Sequence, residues 1–228
     1  MKVNKVSENI WSLKTWIIIP IHVWVIVDGN GVTLVDAGIP KMAKGIMNFI
    51  KELDAGPLQR ILLTHGHPDH VGAIKTILSV TKVPVYAHRI EIPYMEGELP
   101  YPKRKKAKQT VSKQLIQALQ EDGQGNLNLI GGIKPYLTPG HSPGHVVYYH
   151  EKDQVLIAGD LFTSKKGKIH QPISMFTSNM HEAVRSSTIV GELKPIRLEV
   201  CHGHPVFHPA NHLEEYIQKM EKLFLGKS

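Results

Sequence analysis

Only one cysteine, Cys201, occurs in the chain, so no intramolecular disulfide can form, which fits a reducing compartment. No run approaches the ~18 consecutive apolar residues of a membrane span; the stretch 16–27 is interrupted by Pro20 and His22. Residues 1–8 lack the apolar core of a signal peptide, so a cytoplasmic address is expected. Low-complexity tracts are missing, and so is a Gly-x-x-x-x-Gly-Lys loop, which removes the phosphate-cradling chemistry of nucleotide hydrolases. The net charge of +7 is concentrated in Lys103, Arg104, Lys105, Lys106, Lys108 and Lys113. Such a run can attract phosphate or an anionic substrate. No aromatic side chain interleaves it as base stacking requires, so a solvated helix face is expected and a nucleic-acid partner is not. With 228 residues, 42% of them apolar, the chain can bury a large core, and a single domain of layered architecture is expected.

The order of elements follows from periodicity and turn residues. Residues 3–6, 10–13, 22–27 and 32–35 read as strands, with Asp28-Gly29-Asn30-Gly31 as a hairpin turn. Pro40 opens an amphipathic helix to about Leu53, whose buried face carries Ile46, Phe49, Ile50 and Leu53. A strand at 60–64, a helix at 71–80 and a strand at 83–87 continue an α/β alternation. Prolines 93, 100 and 102 forbid a continuous helix over 90–105, and a basic helix is expected at 106–121. Asp122-Gly123-Gln124-Gly125 then separates two αβ halves, roughly 1–122 and 126–228. In the second half, strands are expected at 134–137, 146–150, 154–158 and 196–200, and helices at 180–193 and 211–225.

The strongest chemical signal is His65-Gly66-His67-Pro68-Asp69-His70, directly after the apolar run Ile61-Leu62-Leu63. Imidazole nitrogen and carboxylate oxygen suit a borderline-soft divalent metal, and four such donors within six residues in a turn after a buried strand make a metal site. Further donors follow apolar strands at His141, Asp160 and His204, each in a glycine-containing turn. His145 and His202 lie close by, and spacing alone leaves both open as ligands. Asp36 ends a strand that reads as buried, where a carboxylate needs partners.

The His65–His70 segment resembles the HxHxDH motif of the metallo-β-lactamase fold superfamily, and the later donors extend the likeness over nearly the whole chain. The resemblance implies a four-layer αββα sandwich: two mixed β-sheets face to face, helices on the outer faces, and metals at one edge between the halves. It implies two divalent ions, Zn2+ first, with Fe or Mn as alternatives. One ion would take His65, His67 and His141, the other Asp69, His70 and His204, and Asp160 would bridge them. It favours His204, the histidine preceding Pro205, over His202, places His145 behind the ligands, and gives Asp36 the part of orienting the metal loop.

Two cations sharing a water lower its pKa from ~15.7 toward ~7 and so supply hydroxide at neutral pH, the nucleophile of a hydrolase. Asp69 can orient that hydroxide or carry a proton to the leaving group. In the superfamily, zinc β-lactamases typically lack the bridging aspartate, whereas glyoxalase II-like thioesterases and lactonases keep it. The chain ends soon after His204. The expectation is therefore a compact hydrolase of a small-molecule lactone, thioester or carboxyl ester. The alternatives are a mononuclear iron sulfur dioxygenase and an RNA or phosphodiester hydrolase. Residues 90–109, with Ile92, Tyr94, Met95, Leu99 and Tyr101 before the basic run, are expected to cover the metal edge as a partly apolar lid.

Overall fold

The computed structural model describes residues 1–226. Seven strands form the first sheet in sequence order: β1 (Lys2–Lys5), β2 (Ile10–Trp16), β3 (Pro20–Val27), β4 (Val32–Val35), β5 (Leu58–Leu62), β6 (Val85–Ala87) and β7 (Ile116–Ala118). The first four are an antiparallel meander and the last three join in parallel. The parallel part needs crossovers, and α1 (Ala43–Leu53), α2 (Pro68–Val71) and α3 (Ile74–Val80) lie on them; a short α4 (Ile92–Met95) follows β6. The second sheet is built from β8 (Lys134–Leu137), β9 (Val146–His150), β10 (Val155–Ile157), β13 (Arg197–Glu199) and β14 (Val206–Phe207). Its order is β14-β13-β10-β9-β8, and β11 (Thr163–Lys165) and β12 (Lys168–His170) form a separate hairpin. Helices α5 (Met180–Ser186), α6 (Ile189–Leu193) and α7 (Leu213–Leu225) complete the chain.

Strand alternation sorts the two faces. On β9, Val146 and Tyr148 join the large core that holds Trp24, Ile61 and Leu62, while Val147 points the other way into a second cluster with Val190, Tyr216 and Met220 of the C-terminal helices. This is the expected αββα layering. The β5 run Leu58–Leu62 is central and parallel, so the loop after it emerges where the two sheets meet.

Three helix expectations change. The 71–80 helix is interrupted between α2 and α3, where Gly72 donates its N–H out of the helix to Gly38 O at 2.7 Å. The 180–193 helix is divided at Ser187–Thr188. The basic helix at 106–121 is not formed. Thr110 and Val111 donate their N–H groups to Met95 O, and Ile116–Ala118 pairs with β6, so tertiary bonding wins over local helix preference. Among the described residues no helix is long and apolar enough to cross a membrane.

Candidate metal centre

The centre is built on the loop that leaves β5. Thr64 follows buried Leu63, and its N–H and hydroxyl both donate to Asp36, at 2.8 Å to Oδ1 and 2.8 Å to Oδ2. Asp36 is fully buried, and its φ of 57° turns the end of β4 back toward that loop. The same carboxylate stands 2.7 Å from His70 Nδ1, which donates to it. Because the Thr64 hydroxyl proton is committed to Asp36, its oxygen accepts from His65 Nδ1 at 3.0 Å. Both rings thus bond to the scaffold through Nδ1 and turn Nε2 toward the site.

That presentation repeats around the site. Thr177 donates its hydroxyl to Ile173 O and accepts from His141 Nδ1 at 3.2 Å. His202 Nδ1 donates to Pro20 O at 2.8 Å. The outcome is two groups of donors. His65 Nε2 and His141 Nε2 lie 2.9 and 3.1 Å from His67 Nδ1. Nitrogens held about 2.0–2.1 Å from a tetrahedral cation stand roughly 3.3 Å apart, so this triad has nearly the spacing that could hold one. In the second group the donor atoms of Asp69, His70, Cys201 and His202 all lie within 4.8 Å of one another. Asp160 stands between the groups: Oδ2 is 3.4 Å from His141 Nε2 and 3.3 Å from His202 Nε2, and Oδ1 is 3.5 Å from His70 Nε2.

Asp160 reaches that position through Gly159, whose φ is 51° and where a Cβ would meet Thr64 Cβ at 2.9 Å. His145 does not face the donors. It sits behind Asp160, its Nε2 accepting the Asp160 N–H at 3.2 Å and its Nδ1 bonded to Thr138.

Two observations test whether cations fit. His70 Nε2 and Asp160 Oδ1 are buried and have no hydrogen-bond partner, although they face each other. Such orphans are costly unless something binds both. The charge balance agrees. Burial holds His65 and His141 well below the ordinary histidine range and His67 at about 4, the neutral state in which imidazole ligates. His70 and His202 go the other way. Burial pulls both down, but the carboxylates outweigh it and raise them: Asp36, Asp160 and Asp69 around His70, and Asp160 and Asp69 around His202. Asp160 is pushed up by burial, yet His202 and His70 keep it well below the carboxylate range. The cluster therefore calls for positive charge, which divalent cations supply.

Six of the seven residues singled out in the sequence converge: His65, His67, Asp69, His70, His141 and Asp160. His204 does not. It is exposed, and its backbone is clamped by Ser164, whose Oγ accepts from His204 N at 2.7 Å and donates to His204 O at 2.5 Å. His202 takes the inward place instead, 3.2 Å from Asp69 Oδ2. Strand alternation continued past position 200 would put His202 and His204 on one face, but β13 ends at Glu199 and alternation does not govern the loop beyond it.

Glu91 was missed in the sequence. It is fully buried, and its Oε1 accepts from Gly66 N (3.0 Å) and Tyr101 OH (2.7 Å), its Oε2 from Ser142 Oγ (2.9 Å) and Gly144 N (2.8 Å). One carboxylate thus ties the His65–His70 loop to the His141 loop. Burial pushes its pKa up, against those four bonds. Glu91→Gln turns an NH2 group toward two donors and should cost about 3 kcal/mol. For a chain of this length that is a fall in Tm of about 6–12 °C. Cation affinity should drop about 10- to 100-fold. An unchanged Tm in thermal unfolding of the metal-free variant would show that the bridge holds nothing.

A cleft of about 1080 Å3 opens above the donors, with His67, Asp69, Asp160 and His202 on its floor. From the 90–109 segment, Tyr101, Arg104, Lys105, Lys106 and Lys108 line it, whereas Met95 is buried beneath Gly66.

Comparison with known proteins gives concordant results. The model of the metallo-beta-lactamase superfamily matches residues 17–221. A probable metallo-hydrolase of Bacillus subtilis strain 168, YybB, is 37% identical over 221 residues, which cover 95% of this chain and 98% of the relative. A hydroxyacylglutathione hydrolase of Francisella philomiragia is 27% identical over 173 residues, 75% of this chain and 60% of that enzyme. Among solved structures, the DIM-1 metallo-beta-lactamase superposes with a TM-score of 0.71 over 96% of this chain and 97% of its own, at 18% identity, a likeness of fold.

Proposed function

As the chain belongs to the metallo-β-lactamase superfamily, we propose that it is a binuclear metal-dependent hydrolase that cleaves an ester-type bond, a lactone, thioester or carboxyl ester, of a small molecule. The observation that carries this reading is Asp160, whose Oδ2 lies 3.4 Å from His141 Nε2 of one donor group and 3.3 Å from His202 Nε2 of the other, with Oδ1 turned to His70. In this reading His65, His67 and His141 hold one cation, Asp69, His70 and His202 the other, and Asp160 both. Zinc suits these donors, as do iron and manganese within overlapping limits. Bound there, the cations supply Lewis acidity for a carbonyl and activate water at neutral pH.

The chain's own residues then do the rest. Asp36, Thr64, Thr177 and the Pro20 carbonyl hold the rings of His70, His65, His141 and His202, so these four need not reorient as substrate arrives. Asp69 is the acid most open to the cleft, its side chain 32% exposed against 7% for Asp160. It is the group able to orient the attacking water and to pass a proton to the leaving oxygen or sulfur. The hydroxyacylglutathione hydrolase relative, a thioesterase by its name, supports thioesters within the class. The test is a panel of lactones, thioesters, carboxyl esters and phosphodiesters on the metal-loaded enzyme. Turnover of an ester-type substrate with phosphodiesters inert is expected, and turnover confined to phosphodiesters would contradict the reading.

A further inference from the structure

The cleft has a second feature that the metal centre does not need. One wall is the β2–β3 turn, with Ile17, Ile18 and Ile19 at 51, 86 and 37% exposure. Met175 and Phe176, at 71 and 43%, line the same cleft. Apolar area left in water forgoes roughly 25 cal/mol per Å2, so five large apolar side chains around one opening mark a surface that something covers. A small lactone would not fill a space of about 1080 Å3.

The mouth is charged. Arg104, Lys105, Lys106 and Lys108 line the same cleft, and among the described residues none of them is within 4.0 Å of a carboxylate. Their neighbours in the run are engaged: Lys103 donates to Thr177 O at 2.6 Å and Lys113 pairs with Glu98 at 3.8 Å. Arg104 also stands 5.8 Å above the Phe176 ring, so the cationic and apolar surfaces meet. Among the described residues the only acids on the lining are Asp69 and Asp160, at the floor. A solvated face would not concentrate unpaired cations over an apolar cleft.

We propose that the substrate is an anionic amphiphile: an ester or thioester whose apolar acyl chain lies on Ile17–Ile19, Met175 and Phe176, and whose anionic alcohol or thiol portion meets Arg104, Lys105, Lys106 and Lys108. This rests on the hydrolase reading above. In the reaction water adds to the acyl carbon and the C–O or C–S bond breaks. The acyl group leaves as a carboxylic acid, and the alcohol or thiol takes the remaining proton.

The test uses metal-loaded enzyme with acyl groups of two, six and ten carbons, each carried on the anionic thiol coenzyme A and on neutral N-acetylcysteamine. Expected are a kcat/KM rising about two- to fourfold per added methylene, and a preference of tenfold or more for the anionic series that shrinks as salt is raised. Ile18→Ser should flatten the chain-length slope, and Lys105→Glu with Lys106→Glu should abolish the preference for the anion. Both readouts are ratios within one variant, so partial loss of active protein does not alter them. Hydrolysis with a flat slope and no charge preference overturns the proposal and leaves the hydrolase reading intact. If no ester or thioester turns over, that reading falls and the ester part of the proposal with it, and calorimetry with dodecyl phosphate decides the rest: binding weakened by Ile18→Ser and by the double charge reversal supports an anionic amphiphile as the ligand of the cleft, and no binding overturns it. Sedimentation with phosphatidylglycerol vesicles that Ile18→Ser abolishes, together with a flat chain-length series, would make the apolar walls a membrane contact and overturn it as well.

Discussion

Asp160→Asn should lower kcat/KM on the order of 10^3-fold, about 4 kcal/mol of transition-state stabilisation, while leaving the fold in place. The substitution keeps shape, and the Asp160 N–H still reaches His145 Nε2. What it removes is the negative charge that both donor groups share, and one of the two oxygens that face them. An amide nitrogen has no lone pair to offer a cation. The metal-free variant should therefore unfold within a few degrees of the parent, because the bonds that order the loops run through Asp36 and Glu91 instead. Steady-state kinetics beside thermal unfolding check this. A variant that keeps two cations and most of its activity would remove Asp160 from the bridging role.

The second large effect separates two neighbouring histidines. His202→Ala deletes a buried Nε2 that lies 3.2 Å from Asp69 and 3.3 Å from Asp160. Affinity for one of two cations should fall about 100-fold or more, beyond what loss of a mere supporting partner costs. His204→Ala touches an exposed side chain whose backbone bonds to Ser164 survive the change. Its effect on stability should stay within about 0.5 kcal/mol, and metal binding should be unchanged. Metal titration of both variants followed by calorimetry distinguishes them. Loss of a cation in His204→Ala, with His202→Ala intact, would reverse the assignment.

How much of this was legible in the sequence depended on how far apart the partners are. Four donors packed into residues 65–70 announce themselves because the chemistry and the turn lie in one segment. His141 and Asp160 follow apolar strands with a glycine beside them, and the layered fold brings those strand ends to one edge. His202 and His204 were distinguishable only by the path of the chain after Glu199, which Ser164, forty residues away, determines. Glu91 carries no local signature at all. Its partners are Gly66, Ser142 and Gly144, and only the packed structure shows that a glutamate between Ile90 and Ile92 is surrounded by donors. The basic run differs in the opposite sense. Its composition favours a solvated helix, but Met95 O holds Thr110 and Val111 and β6 pairs with Ile116–Ala118, so no helix forms, and Arg104 to Lys108 lie in an irregular segment that lines the cleft.

The central claim is that two cations share one carboxylate, and the metal content of the purified protein tests it most directly. Protein made in zinc-, iron- or manganese-supplemented medium and measured by elemental analysis should hold close to two divalent ions per chain. A content that stays at one under every supplement would contradict the account. It would leave His65, His67 and His141 as the site and strike Asp69, His70 and His202 from it.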